Sequence, residues 1–162
     1  MTTQLYIANL AQYNAGRLVG RWIDADQDAD DIRTEIAEFL ESTGGEEWAC
    51  HDYDGLPSSL GEWPDLDQVS TAASLVEEHD DAGRAYLELF DSEQWSQDDF
   101  LERYVGEFET RAALAEDLLE STGELSEMPE RLAYYFDFDS YGRDMEVGGD
   151  VCRHGCQWFW AW

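Results

Sequence analysis

Apolar and aromatic residues crowd two stretches at the amino end, Gln4 to Leu10 and Arg17 to Asp24, and Tyr13-Asn14-Ala15-Gly16 between them has turn chemistry. The pattern predicts two strands joined as a hairpin. From about Asp28 to Ser42 the period changes. Ala29, Ile32, Ile36, Phe39 and Leu40 recur at helical spacing, and Gly44-Gly45 ends the run. A helix is expected there, its apolar stripe packed on the strands. Glu46 to Tyr53 reads as a third strand, and Gly55 to Ser59 with Pro64 marks a boundary.

Leu66 to about Val105 is helical in pattern: Leu66, Val69, Ala73 and Val76 in one segment, Ala85, Leu87, Leu89 and Phe90 in the next, and a short helix capped by Ser96. The last third predicts a helix from about Arg111 to Ser121 ended by Gly123, and another opened by Pro129. Met145 to Arg153 and Cys156 to Trp162 then read as a hairpin about His154-Gly155, with Trp158, Trp160 and Trp162 on one strand face. The fold class expected is α+β. Its segments are 1–61 (α/β), 62–104 (all-α) and 105–162 (α+β). No internal repeat is visible.

Charge changes the picture more than any motif does. The 162 residues hold 38 acids and nine basic residues, all nine arginine, for a formal net charge of -29. The excess is not a tail: residues 1–61 hold 12 acids and 3 arginines, 62–104 hold 13 and 2, and 105–162 hold 13 and 4. Each segment also carries tryptophan and periodic aliphatics, so the acids cover a folded body. Such a surface repels phosphate backbone, which excludes direct nucleic-acid binding and points to a basic partner.

The spacing of the charges is informative. Asp28, Asp31, Glu35 and Glu38 recur one position ahead of the apolar residues, a stripe turned about 100° round the helix. With Asp30 and Glu41 they make six acids in 13 residue steps, about 20 Å of helix, or one per roughly 3.3 Å. A single DNA strand carries one charge per about 3.4 Å. At one charge per roughly 1.7 Å of duplex, 29 charges equal about 15 base pairs, about 50 Å. A globule of this mass is only about 40 Å across. Salt adaptation is the competing account of the composition, weakened by an aromatic content of 14%.

Chemical sites are sparse. Asp24, Asp26, Asp28 and Asp30 with Glu35 at the twelfth position follow a calcium-loop spacing, but Ala29 stands where the sharp turn needs glycine, and a strand precedes it. Cys50-His51-Asp52 and Cys152-Arg153-His154-Gly155-Cys156 lack the usual zinc-hook spacing. Cys50 and His51, adjacent on a strand, point apart and form no nucleophilic pair. No metal, no cofactor and no enzyme activity are expected. Three cysteines fit a reducing compartment, and without a signal peptide or a membrane-length apolar run the expected location is the cytoplasm.

Tyr6-Ile7-Ala8-Asn9-Leu10, Tyr13-Asn14, Gly16, Gly20, Trp22 and Asp24 resemble the opening of the ArdA antirestriction proteins. His51-Asp52-Tyr53-Asp54-Gly55-Leu56-Pro57 resembles the junction out of that family's first domain. Leu118-Leu119-Glu120, Gly123, Leu125, Pro129-Glu130, Leu132, Tyr135-Phe136-Asp137-Phe138-Asp139 and Tyr141-Gly142-Arg143-Asp144-Met145 resemble its antirestriction motif. The middle helices match mainly in character, and the carboxyl-terminal hairpin has no counterpart in the resemblance.

The resemblance implies an elongated chain of three small domains that forms a homodimer and copies bent duplex DNA. It implies that the partner is a type I restriction-modification enzyme, engaged at its methyltransferase core and specificity subunit with cleavage and methylation both blocked. It also implies a bacterial host and carriage on a mobile element or phage. A dimer would carry -58, equivalent to about 29 base pairs. The acids expected to face the partner are Asp24, Asp26, Asp28, Asp31, Glu35, Glu38 and Glu41; Asp80, Asp81, Glu88, Asp98, Asp99 and Glu102; and Glu109, Glu116, Asp117 and Glu120. Tyr134, Tyr135, Phe136, Phe138, Tyr141 and Arg143 carry the wrong charge or none for mimicry, and are expected in the core of the third segment or at the dimer interface. Two alternatives stay open: an acidic inhibitor of another nucleic-acid-binding protein, or a calcium-binding or salt-adapted protein.

Overall fold

The computed structural model describes residues 2–162. Helices and two antiparallel sheets make it an α+β protein. Its backbone groups into two compact units, Met1–Phe100 and Leu101–Trp162. Among the described residues no helix is long and apolar enough to cross a membrane.

The first unit is built on a sheet of order β2-β1-β3, with β1 (Gln4–Asn9) antiparallel to both β2 (Gly20–Asp24) and β3 (Trp48–Asp54). Leu5 and Ile7 point inward and are fully buried, while Tyr6 faces outward and meets Trp22 at 5.2 Å between ring centroids. The link from β1 to β2 is not the tight turn expected. It holds a one-turn helix, α1 (Leu10–Asn14), capped by the Asn9 side chain, which accepts from the Gln12 amide at 3.2 Å. Asn at an N-cap satisfies an amide that strand pairing leaves free.

α2 (Ala29–Thr43) agrees closely with the periodicity: Ala29, Ile32, Ile36, Phe39 and Leu40 are its buried residues, and Gly44 caps it. Leu66, Val69 and Ala73 of α3 (Leu66–Leu89) join the same core. Each fully buried aliphatic side chain there contributes about 1.5–3 kcal/mol. α3 itself bends at Asp80 (φ 48, ψ -123), which separates the two apolar segments read from the sequence. Beyond the bend Gly83 lies so close to the earlier turn that a Cβ would stand 2.2 Å from the Leu75 carbonyl oxygen. Tyr86 is fully buried, donates to Asp99 Oδ2 at 2.7 Å, and meets Phe100 edge-on. Ser96 Oγ accepts from the Asp99 amide at 3.0 Å, the cap expected for α4 (Gln97–Arg103).

The second unit departs further from expectation. Tyr104–Glu107, read as the end of a helical stretch, is strand β4, paired with β6 (Gln157–Trp160), which also pairs with β5 (Val151–His154). Aromatic and β-branched residues at Tyr104 and Val105 favour that pairing. α5 (Arg111–Ser121) has the expected bounds, with Thr110 Oγ1 accepting from the Ala113 amide at 3.1 Å. Two one-turn helices follow, α6 (Glu124–Glu127) and α7 (Glu130–Ala133). Then comes α8 (Phe138–Val147), which the sequence reading missed.

Met145 to Val147 therefore close a helix and do not open the hairpin. α8 packs against α5 where Gly142 meets the Arg111 carbonyl oxygen, 2.4 Å from the place a Cβ would take. Leu114, Val151 and Trp158 form the core, with Trp160 against it. Trp162 lies beyond β6 and is exposed, so the tryptophan face holds two rings, not three.

The bend predicts a stabilising substitution. Asp80 holds a backbone conformation that favours glycine, at a cost of roughly 1–3 kcal/mol. Asp80→Gly is expected to raise stability by about 1 kcal/mol in denaturant melts, and Gly83→Ala to lower it by about 2 kcal/mol or more. Unchanged midpoints in both would refute the strain account.

Candidate acidic interaction surface

Because α2 spends one stripe on the core, its remaining positions are free for acids. Asp28, Asp31, Glu38 and Glu41 are exposed, while Glu35 is half-buried and accepts from Gln27 Nε2 at 3.0 Å. Asp28 is the N-cap residue, and Asp30 and Asp31 fill the first turn, where the helix macrodipole favours negative charge. Asp24 and Asp26 follow from the end of β2, both exposed, with Asp24 Oδ1 accepting from Gln4 Nε2 at 2.8 Å. Asp80 and Asp81 stand exposed at the bend of α3, and Glu88 and Asp98 are exposed further on. Asp99 is half-buried, held by the Tyr86 hydroxyl.

In the second unit Glu102, Glu109, Glu116, Asp117 and Glu120 are exposed. α5 turns Leu114, Ala115 and Leu119 inward, which leaves the last three of those acids on its open side. Of the seventeen acids expected at the surface, fifteen are exposed and two half-buried. The ion pairs of Arg33, Arg143, Arg111 and Arg153 go to Asp30, Asp144 and Glu146, none of them among the seventeen. Exposed acids outside that set of seventeen include Asp65, Asp67, Glu124, Glu127 and Glu130. Their signal was charge alone, without a stripe.

The motif aromatics fall differently from the core placement. Tyr134 and Tyr135 are 84% and 81% exposed, ring against ring at 5.2 Å. They follow directly on α7, a single turn that ends at Ala133 with Tyr134 as its cap. Phe136 and Phe138 are half-buried and meet edge-on at 5.0 Å; Phe136 and Tyr141 border a cavity of about 340 Å³ with Leu119, Leu125 and Met128. Arg143 is exposed, 3.8 Å from Asp144. Asp137 caps α8, accepting from the Ser140 amide at 3.0 Å and the Ser140 hydroxyl at 2.7 Å. Those hydrogen bonds from Ser140 hold its carboxyl below the usual carboxylate range.

Among the described residues no group of three or more His, Cys, Asp or Glu is arranged to hold a metal ion. In the calcium-like run, Ala29 begins α2, so the helix starts in the middle of what would be the loop. Burial pushes the Cys50 and Cys152 thiols up, away from the reactive thiolate. Cys50 is buried and His51 exposed, on opposite sides of β3.

A family model described as antirestriction protein (ArdA) matches residues 5–157. The chain belongs to the ArdA antirestriction family. The match runs from β1 into β6, so it takes in both units and extends well past the motifs that carried the resemblance. No curated protein matches the chain. Membership gives an antirestriction function, exerted on restriction-modification enzymes by an inhibitor protein.

The α8 cap carries a pH dependence of definite sign. A depressed carboxyl adds stability that is full above the ordinary aspartate range and is lost as pH falls through the lower folded value. A carboxyl-carbon NMR titration should place the Asp137 midpoint below that of a free aspartate, and Asp137→Asn should remove this acid-dependent part of α8 stability. A midpoint at or above the free value would contradict the cap geometry.

Proposed function

We propose that this ArdA protein occupies the DNA-binding cleft of a type I restriction-modification enzyme, across its methyltransferase core and specificity subunit, and blocks restriction and modification together. Its carboxylates stand in for phosphates against the arginines and lysines of the cleft. The observation that carries the reading is the exposure of fifteen acids outside the ion pairs described above, four of which, Asp28, Asp31, Glu38 and Glu41, stand along about 20 Å of α2 and its cap. Desolvated carboxylates facing a basic cleft displace its counterions as DNA does. The protein acts as a homodimer in this reading. Tyr134, Tyr135, Phe136, Phe138, Tyr141 and Arg143 supply uncharged and basic contact area of the kind interfaces favour.

Competition between the purified protein and duplex DNA for a type I methyltransferase core tests the proposal. Displacement at near-stoichiometric protein is expected, weakening steeply as salt rises. No displacement at any salt would reject the type I target and redirect the search to other DNA-binding proteins.

Because the charge is distributed, neutralising one acid such as Glu38 or Glu120 should weaken inhibition by less than about fivefold. Reversing Asp28, Asp31, Glu35 and Glu38 together should weaken it on the order of a hundredfold. Loss of all binding from Glu38→Gln alone would overturn the distributed picture.

A further inference from the structure

The arginines of this chain fall into three kinds of surroundings, and one of them fits none. Arg33, Arg111, Arg143 and Arg153 stand beside carboxylates. Arg103 donates to the carbonyl oxygens of Trp160 and Trp162, and Arg17, Arg21 and Arg131 are exposed to water. Arg84, on α3 in the first unit, is half-buried, and its Nε is enclosed without a hydrogen-bond partner. Among the described residues no carboxylate pairs with its guanidinium. In a chain of 38 acids a partner was not scarce. A charged donor withdrawn from water with no acceptor lowers stability, and a neutral side chain in its place would not.

Arg84 also lines a cavity of about 160 Å³, together with Gly55, Leu56, Pro57, Leu87 and Glu88. The end of the guanidinium lies at the Gly55 wall, with Nη2 3.5 Å from the place a Cβ there would take. Pro57 and Leu87 are buried and Leu56 half-buried, so three of the walls are apolar. Glu88, one helical turn on from Arg84, is exposed and forms no ion pair with it among the described residues. The cavity thus joins an unpaired cation to apolar walls, on a surface whose general character is the reverse.

We infer that this cavity receives one carboxylate on a short aliphatic stem, the side chain of a glutamate or aspartate of the basic protein partner. A guanidinium fork matches a carboxylate geometrically, and the apolar walls suit the stem that carries it. Glu88 opposes a second negative charge, which favours a carboxylate over a phosphate dianion. The net charge of -29 repels free anions as well. A carboxylate set among the arginines and lysines of a partner is drawn in against that field, because the rest of its surface is attracted. The inference rests on the reading of the chain as an inhibitor of a basic cleft. It adds to it one contact of opposite sign, which a uniform negative surface cannot supply and which fixes register.

Two experiments test it, and charge alone predicts the opposite sign in both. The first is an NMR titration of the whole protein with acetyl-arginyl-glutamyl-arginyl amide and with its glutaminyl counterpart. The glutamyl peptide should shift the Arg84 Nε–Hε resonance saturably, and the glutaminyl peptide, although more positive, should leave it in place. Equal shifts from both, or none from either, would overturn the site. The second uses a methyltransferase core that the parent protein inhibits. Arg84→Gln makes the chain one unit more negative than -29, so bulk attraction would hold or raise its affinity. A loss of about tenfold is expected instead, with about threefold for Arg84→Lys, which keeps the charge without the fork, and none for the exposed control Arg17→Gln. Arg84→Gln should melt at or above the parent's midpoint, and a lower midpoint would mark Arg84 as a residue of the fold and overturn the inference. Undiminished inhibition by Arg84→Gln would remove the contact while leaving the distributed inhibitor intact. The peptide titration needs no enzyme and decides the site even where the type I target fails.

Discussion

Repulsion between carboxylates sets the terms on which this chain folds. The first unit holds 24 acids against 4 arginines and the second 14 against 5, so neither compensates for its own charge. Two unit charges 4 Å apart repel by about 1 kcal/mol even in bulk water. The chain offsets this with apolar cores, Leu5, Ile7, Ile23, Ile32 and Ile36 in one and Leu114, Val151 and Trp158 in the other, and the charged side chain buried among the described residues is an arginine, Arg103. Acids also gather where the backbone itself favours them. α2, α3, α4, α6, α7 and α8 all carry acids in their first turn, against the positive end of the helix dipole.

Beside the pairs of Glu146 with Arg111 and Arg153, several fasteners between elements are neutral. Asn9, with no exposed surface, donates from Nδ2 to Thr43 Oγ1 at 2.8 Å while accepting from Gln12, and so ties β1, α1 and the end of α2 together. Trp158 Nε1 donates to the Phe108 carbonyl oxygen at 3.0 Å and anchors β6 in the same manner. Amide and indole donors bonded in the interior are insensitive to salt, unlike ion pairs. Much of the packing that stabilises the chain is thereby carried by residues other than the exposed acids. The face can be tuned for a partner without rebuilding what holds the chain folded.

That division also explains what could be read from sequence. α2 and α5 were legible because each has a full apolar stripe and a clear stop, and the exposure of the acids followed from those stripes. β4 was not, since Tyr104 and Val105 continue a helical run and become a strand only by pairing with β6, more than fifty residues on. α8 was obscured for a related reason: its only buried residue is Gly142, so no apolar period announces it, and its start depends on the Asp137 cap. For Tyr134 and Tyr135 the sequence left core and dimer interface both open, and their exposure removes the core half of that choice.

Asp80 and the exposed tyrosines share a property that the isolated chain does not require. With 38 acids present, the charge at position 80 is a negligible fraction of the total, and glycine would sit there with less strain. Tyr134 and Tyr135 place apolar area in water where smaller residues would serve. Each lowers the stability of the free chain, so the reason for each lies in something the free chain lacks. A surface acting through total charge alone would be indifferent to the position of any one group. Strain kept at one acid and aromatic area kept in solvent argue that position matters at those points.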